Sequence, residues 1–309
     1  LRVEKKNLWR RAGVMAGALG LACFLGACAS NDSAALADAA PPNAPERGWQ
    51  TSLRADEALV GKIWEGSAGR FISAEALLEN LKSREYVLLG EKHDNPDHHL
   101  LQREILAALS EEAVLGAVSF EMMTTDIAPR LKTLGTRRFA SSDLLAEYIE
   151  WDKQGWDWEF YGPLLSLAYE RNVPIYAGNI SRTEMSSLYA SDSPVAEGAV
   201  GELARAQLRA DIDASHCGLL PDSQFDAMVR VQQGRDESLA RSLTGEQLSN
   251  GKVALLIAGN YHIRQDLGVP NYLLRAHPTL QRDAIAAVAF LEVAEEETQP
   301  GNYLEGSVE

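Results

Sequence analysis

The sequence predicts an α/β fold: a mostly parallel sheet with helices on both faces and a helical insertion before the fourth strand. Three observations carry this reading. Short apolar runs recur at 86–90, 117–122, 173–179, 253–260 and 284–293, with helical periodicity between them. The runs are continuous rather than alternating, as strands covered on both faces must be. Four of them lead into a polar residue: Glu91, Glu121, Asn179 and Asn260. Strand and helix in this rhythm build a parallel sheet. Right-handed crossovers then bring the strand C-termini to one edge, where open α/β sheets bind their ligands.

Taken in order, residues 1–27 read as a leader outside the fold. Arg2, Lys5, Lys6, Arg10 and Arg11 precede an apolar, small-residue stretch at 12–26. That stretch is short for a transmembrane helix, which takes roughly 20 apolar residues. It ends Leu25-Gly26-Ala27-Cys28. A bulky residue, two small ones and a cysteine resemble the bacterial lipobox, which would make lipidated Cys28 the mature N-terminus and anchor the protein to membrane. Ala29 and Ser30 follow, with no Asp to hold the anchor at the inner membrane. The expectation is a cell-envelope protein at the outer membrane, facing periplasm or exterior. Residues 28–48, rich in Ala, Pro, Asn and Asp, read as a flexible tether. The folded domain is expected over 49–309.

Within that domain, Ile63-Trp64 and Phe71-Ile72 flank Gly66 and Gly69 and predict a small hairpin. Ser73 is placed to cap a helix reaching about Lys82. After the first strand, Asn95 as cap and Pro96 at the first helical position open a helix carrying Leu100, Leu101, Ile105, Leu106 and Leu109. A helical region to about Glu150 follows the second strand. Trp151, Trp156, Trp158, Phe160 and Tyr161 crowd a Gly- and Asp-containing segment that reads as a loop, with a helix resuming over 165–171. Such a cluster forms either a satellite core or the wall of a flat apolar pocket. The insertion, 183–244, holds a helix capped by Ser223 with an apolar stripe of Phe225, Met228, Val229, Leu239 and Leu243. Gln232 and Asp236 interrupt that stripe, with Arg235 beside them. Polar groups on a buried stripe cost energy unless paired. The helix therefore carries an internal ion pair, or it closes over the polar strand edge.

The net charge is −15. Loss of residues 1–27, with five Lys/Arg and one Asp/Glu, leaves 24 basic against 43 acidic residues, near −19. That balance disfavours nucleic acid and anionic lipid headgroups as partners. Beyond the leader only Cys28 and Cys217 remain, which excludes a disulfide framework and a CxxC zinc site. No Gly-rich phosphate loop follows the first strand, and GxSxG, HExxH and CxxCH are all absent from the sequence.

The chemistry-bearing residues gather on the predicted edge. Glu91 and Glu121 are expected on adjacent strand ends, with His93 and His262 as neighbours. Close carboxylates raise one another's pKa, and imidazoles titrate around neutrality. Such a set can bind a metal, activate water as a general base, or anchor the polar edge of a larger ligand. His98 and His99 fall in the first turn of a helix, where the dipole opposes a cation, and His99 can face the edge. His216 lies in an interhelical loop, and His277, before Pro278, reads as a surface residue.

The run Leu89-Gly90-Glu91-Lys92-His93-Asp94-Asn95-Pro96-Asp97-His98-His99-Leu100-Leu101-Gln102 resembles the signature of the ChaN-like haem-binding lipoproteins. So do Phe120-Glu121-Met122, the segment from Trp151 through Gly155-Trp156-Asp157-Trp158 to Tyr161-Gly162-Pro163-Leu164, and Gly178-Asn179. Gln232 with Arg235-Asp236, and Ala258-Gly259-Asn260-Tyr261-His262 with Gly268-Val269-Pro270, continue the likeness over 86–274. The resemblance implies a lipoprotein that binds haem and serves haem or iron uptake, with haem in a cleft that a homodimer can share. It implies a tyrosine on the iron, with His and basic residues at the propionates. Tyr161 and Tyr261 compete for that place, Tyr261 standing where relatives often carry a small residue. His216 is the competing axial donor, and His93, His99 and His262 are expected at the cofactor. The Gly-Glu-x-His motif, the strand-end Glu and the distal Gly-x-x-His are also similar to a wider superfamily containing erythromycin esterases and Tiki-type metalloproteases. That likeness implies the alternative: a metal-dependent or general-base hydrolase centred on Glu91, His93, Glu121 and His262.

Overall fold

A computed structural model describes residues 48–244 and 252–304, all within one compact unit spanning Pro41–Glu309. The expected leader, Cys28 and the tether up to residue 47 lie outside the described residues. The chain enters through a hairpin, β1 (Ile63–Glu65) and β2 (Arg70–Ile72), where Trp64 and Phe71 pair edge to face. Helix α1 (Ala74–Lys82) is capped by Ser73, whose side chain accepts from the Ala76 amide. Strand β3 (Tyr86–Glu91), helix α2 (Pro96–Glu111) and strand β4 (Leu115–Thr124) form the first crossover. Helices α3 (Ala128–Leu134), α4 (Ser142–Tyr148) and α5 (Trp158–Glu170) lead to β5 (Ile175–Asn179). The insertion follows as α6 (Arg182–Ala190), α7 (Glu202–Ser215) and α8 (Asp222–Ser242). Strand β6 (Val253–Gly259), helix α9 (Val269–Ala276) and strand β7 (Ile285–Ala289) complete the domain.

The main sheet has five parallel strands in the order β5-β4-β6-β3-β7. Every residue of β3 and β6 is buried, as continuous apolar runs require. Their side chains alternate between two cores. Val87, Leu89, Leu255 and Ile257 pack with α2 and α5 on one face. Leu88, Leu256 and Ala258 meet α8 and α9 on the other. Burying each such side chain fully contributes roughly 1.5–3 kcal/mol, so the sheet is the rigid frame from which the edge loops project.

Three expectations are corrected. Glu91 and Glu121 do not end adjacent strands: β6 runs between β3 and β4, pairing Glu91 with Gly259 and Phe120 with Ile257. Proximity in sequence favours a β3–β4 pair, but β6 is apolar enough to be buried on both edges as well as both faces. The aromatic segment is not all loop. Asp157 caps α5 by accepting from the Glu159 amide, and Tyr161, Leu164, Leu165 and Ala168 form its buried stripe. The insertion helix α8 begins at Asp222 after Pro221, not under a Ser223 cap.

Candidate functional site

The strand ends assemble a polar cluster around two carboxylate–imidazole pairs. In the first, Glu91 Oε1 lies 2.9 Å from His93 Nδ1 and accepts a 2.6 Å bond from the Tyr161 hydroxyl. Glu91 Oε2 lies 2.8 Å from His99 Nδ1, in a geometry too bent for a hydrogen bond. Burial pushes the Glu91 pKa up, but the contacts from His93, His99 and Tyr161 outweigh it and the net shift is down. His93 answers in kind: burial lowers its pKa, and the Glu91 bond with the Glu121 and Glu91 charges raise it above the ordinary value. Tyr161 is buried to 1% exposure, and burial together with the Glu91 charge pushes its phenol far upward. It is a donor to Glu91.

In the second pair, Glu121 Oε2 accepts the Gly259 amide at 2.8 Å, and Oε1 lies 3.3 Å from His262 Nε2. His262 Nδ1 is 2.6 Å from Asp236 Oδ1 on α8, with the Gln232 carboxamide 3.3 Å away. The imidazole thus sits between two buried carboxylates. Burial opposes its charge, but Glu121 and Asp236 outweigh that and raise its pKa to about 10. Glu121 is lowered to about 2, its burial overcome by the charge and bond of His262. Asp236 is shifted up, because burial and the Glu121 charge outweigh the His262 contact.

Local sequence explains how these groups are held. Asn95 accepts from the Asp97 and His98 amides and Pro96 opens α2, so His98 and His99 project from a fixed first turn. His98 Nδ1 accepts the Lys92 amide at 3.0 Å, and burial lowers its pKa, so it is neutral and structural. His99 Nε2 donates to the His93 carbonyl, and its ring stacks on Phe160 at 4.8 Å. Asn179 donates to the Glu121 carbonyl across the β4–β5 edge. At Gly259, a Cβ would stand 2.9 Å from His93 Nε2 and 3.6 Å from Glu121 Oε2. The two pairs therefore converge over one glycine.

The histidines differ in access. The His93 side chain is 42% exposed, against 4% for His99 and 8% for His262. His93 lies edge-on to Trp156 at 4.9 Å. Trp156 also lines an open concavity of about 580 Å³ with Lys153, Gln154, Trp158 and neighbouring acidic residues. The structure thus brings Glu91, His93, His99, Glu121, Tyr161 and His262 together. It does not bring His216, which is exposed at the end of α7 with Nδ1 on the Ile212 carbonyl. Tyr261 is turned from Glu91: its hydroxyl donates to Asp211 on α7 and its ring lies under Arg264. Gly259 was not among the site residues expected from sequence, and Asp236 stood there only as a polar break in an apolar stripe. Among the described residues no three His, Cys, Asp or Glu side chains are arranged to hold a metal ion.

A family model described as haem-binding uptake, Tiki superfamily, ChaN matches residues 77–273, more than half of the chain. The chain belongs to this family. The match starts in α1 and ends in α9, so the ChaN-family region contains every strand-edge residue above. The solved structure of cofacial haem binding to ChaN of Campylobacter jejuni is similar at 24% identity and a TM-score of 0.65, covering 77% of this chain and 94% of that one. It shows the ChaN fold. RRSP, a toxin effector domain from Vibrio vulnificus, aligns at 15% identity and a TM-score of 0.42 over 71% of this chain and 35% of that one. The erythromycin esterase EreC aligns at 14% identity and a TM-score of 0.38 over 70% and 72%. A search of curated proteins finds no match.

A haem pocket needs an axial donor, an apolar slot and partners for the propionates. The residues here fit the first two in part. His93 offers an imidazole nitrogen that is not committed to Glu91, and Trp156, edge-on to it, offers apolar ring surface. The concavity is open to solvent and does not by itself enclose a haem.

Proposed function

We propose that this protein binds haem at the strand-edge shelf and serves haem or iron uptake, lipid-anchored at the outer membrane through Cys28. One observation carries the reading. His93 is the one exposed imidazole of the cluster, held by a buried carboxylate and set edge-on to Trp156, which also lines an open concavity. Family membership supports it, and cofacial haem on the Campylobacter protein supports a homodimer in which a second copy supplies the missing wall. Haem supplies the iron, while the chain binds and orients: Glu91 fixes the His93 ring and His99 braces its backbone. Haemin titration of the purified protein tests this. A Soret band that saturates in wild type and weakens at least tenfold in His93→Ala is expected, a factor worth about 1.4 kcal/mol. A wild-type protein that leaves the haemin spectrum unchanged overturns it. The anchor is tested by mass spectrometry of the mature N-terminus, where a diacylglyceryl cysteine at Cys28 is expected.

The convergence of two carboxylate–imidazole pairs over Gly259 favours a second reading, proton-transfer hydrolysis. His93, shifted up from an ordinary imidazole value and open to solvent, is the group suited to general base work. His262, protonated between two carboxylates, can only donate. Retention of stoichiometric Mn, Co or Zn, lost in His93→Ala and in His262→Ala, would move the reading to a metal-dependent hydrolase. The same metal content in both variants would remove it.

A further inference from the structure

Strand β7 ends the sheet order, with β3 on its inner side. The Ala284 carbonyl accepts the Glu85 amide, and the Phe290 amide donates to the Gly90 carbonyl. Alternation along the strand then turns the backbone groups of 284, 286, 288 and 290 toward β3 and those of 285, 287 and 289 outward. Of the outward groups the Ile285 amide is taken, by the Arg282 carbonyl in the turn before the strand. Among the described residues no hydrogen bond reaches the Ile285 carbonyl or the amide and carbonyl of Ala287 and Ala289. Both faces of β7 are nonetheless packed, Ala286 and Val288 against one core and Ile285 and Ala287 against the other. Yet within β7 only Ile285 is buried, where every residue of β3 is, and Ala289 is exposed. The strand meets solvent along its edge.

An open strand edge is a template for another strand, and proteins that keep one free blunt it with charge, proline or a bulge. β7 has none of these. Residues 284–291 read Ala-Ile-Ala-Ala-Val-Ala-Phe-Leu, without a charge in an acidic chain. The register with β3 runs from Tyr86–Ile285 to Gly90–Ala289 without a shift. The edge is also self-complementary. An antiparallel copy on a two-fold axis at Ala287 sets Ile285 against Ala289, and brings Arg282 of each copy toward Glu292 of the other, equally far from the axis. Both charged residues are exposed. The Arg282 guanidinium meets neutral acceptors, the Gln265 and Asn271 oxygens, so it keeps its charge for such an approach.

We propose that the outer edge of β7 pairs antiparallel with β7 of a second copy, continuing the sheet through a two-fold axis at Ala287. Ala287 of each copy exchanges both its bonds with the other, and each Ile285 carbonyl accepts the opposite Ala289 amide. The contact holds none of the residues of the polar cluster, so it is separate from any dimer formed through haem. So small a contact gives a transient dimer, with a dissociation constant on the order of 100 µM. Sedimentation equilibrium of the haem-free mature chain under reducing conditions, with Cys28→Ser to keep it unacylated, tests this. Ala287→Pro removes an amide that β3 does not use, at an edge position where proline is tolerated, and is expected to weaken the dimer about tenfold or more. Ala289→Lys puts a guarding charge on the exposed end of the strand and is expected to do the same, deciding the matter if the proline variant does not fold. Amide exchange at Ala287 and Ala289, read by residue-resolved mass spectrometry, is expected to be fast in the dilute protein and to slow as concentration rises. A wild-type protein that stays monomeric to about 1 mM, or a dimer equally tight in both variants, overturns the proposal. So does slow exchange at both alanines in the dilute monomer, which would mean that another segment of the same chain already pairs with this edge.

Discussion

Replacing Tyr161 with Phe separates two roles for this tyrosine. Its hydroxyl donates a 2.6 Å bond to the fully buried Oε1 side of Glu91, and the ring is packed on Trp151, Trp156 and His99. Phe keeps the ring and removes the donor. Hydrogen bonds to charged groups contribute about 1.5–3 kcal/mol, and a domain of this size loses about 2–4 °C per kcal/mol. The expected fall in Tm at pH 7 is therefore roughly 3–12 °C. The pH dependence follows from Glu91. Its folded pKa is depressed, so its stabilisation is present above the unfolded carboxylate value and is lost as pH falls through the folded one. Tyr161 is one of the groups that depress it. In Tyr161→Phe the folded pKa rises and acid unfolding begins at higher pH. The assay is a series of thermal melts from pH 3 to 8, paired with haemin spectra. A Tm loss with an unchanged Soret position is expected. An unchanged Tm with a displaced Soret band would refute the reasoning and make Tyr161 an iron ligand.

Three further outcomes follow from the same geometry. Gly259 has φ −64° and ψ 150°, which any residue adopts, so Gly259→Ala acts by contact alone. The new Cβ displaces His93 from Trp156, and haemin affinity should fall about tenfold with a Tm cost under about 3 kcal/mol equivalent, measured by Soret titration and melting. For His262 the folded pKa, about 10, lies above the ordinary 6.5, so its stabilisation is complete below the unfolded value and is lost as pH rises through about 10. Asp236→Asn lowers that folded pKa, so the variant should be less stable at pH 7 by about 1.5–3 kcal/mol and show a smaller alkaline decline in denaturant titrations. Asp97 accepts the Gln50 and Thr51 amides at 2.8 and 2.9 Å. Asp97→Ala should free that segment and speed tryptic cleavage after exposed Arg54 by about tenfold, read by mass spectrometry of the fragments.

The sheet was legible because burial on both faces writes itself as uninterrupted apolar runs, and 86–90, 117–122 and 253–260 fall on β3, β4 and β6. Local caps were legible for the same reason that they work: Ser73 and Asn95 carry the oxygen that the first helical amides need. Strand order was not. Nothing in a parallel strand's own sequence names its neighbour, so β6 between β3 and β4 becomes visible only in three dimensions. Helix α5 was hidden because Gly155 and Asp152 signal a loop that ends just before it, while Trp158, Phe160 and Tyr161 are weak helix formers held by packing. The edge cluster was legible as residue types at strand ends. Its division of labour was not, because the role of Tyr161 depends on a contact with a residue 70 positions away.

The division that matters is between the two imidazoles. His262 spends both ring nitrogens on carboxylates, Glu121 at one side and Asp236 at the other, and its raised pKa keeps it protonated across neutral pH. A protonated imidazole has no lone pair to give to iron or to a proton. His93 spends only Nδ1, on Glu91, and the contact that fixes this nitrogen aims the other one across Gly259. A carboxylate behind an imidazole orients the ring and increases its basicity, the same arrangement that tunes metal-bound histidines. Glu121 acts on His93 through its charge alone. The sealed pair therefore serves as a fixed electrostatic base for the open one, and in the proposed haem reading exchange of ligand or proton takes place at His93. Because its pKa is raised, that exchange is suppressed in acid and recovers as pH increases through it. Haemin affinity measured from pH 5 to 9 should climb in wild type and stay flat in His93→Ala, and a flat wild-type profile would place the iron contact elsewhere.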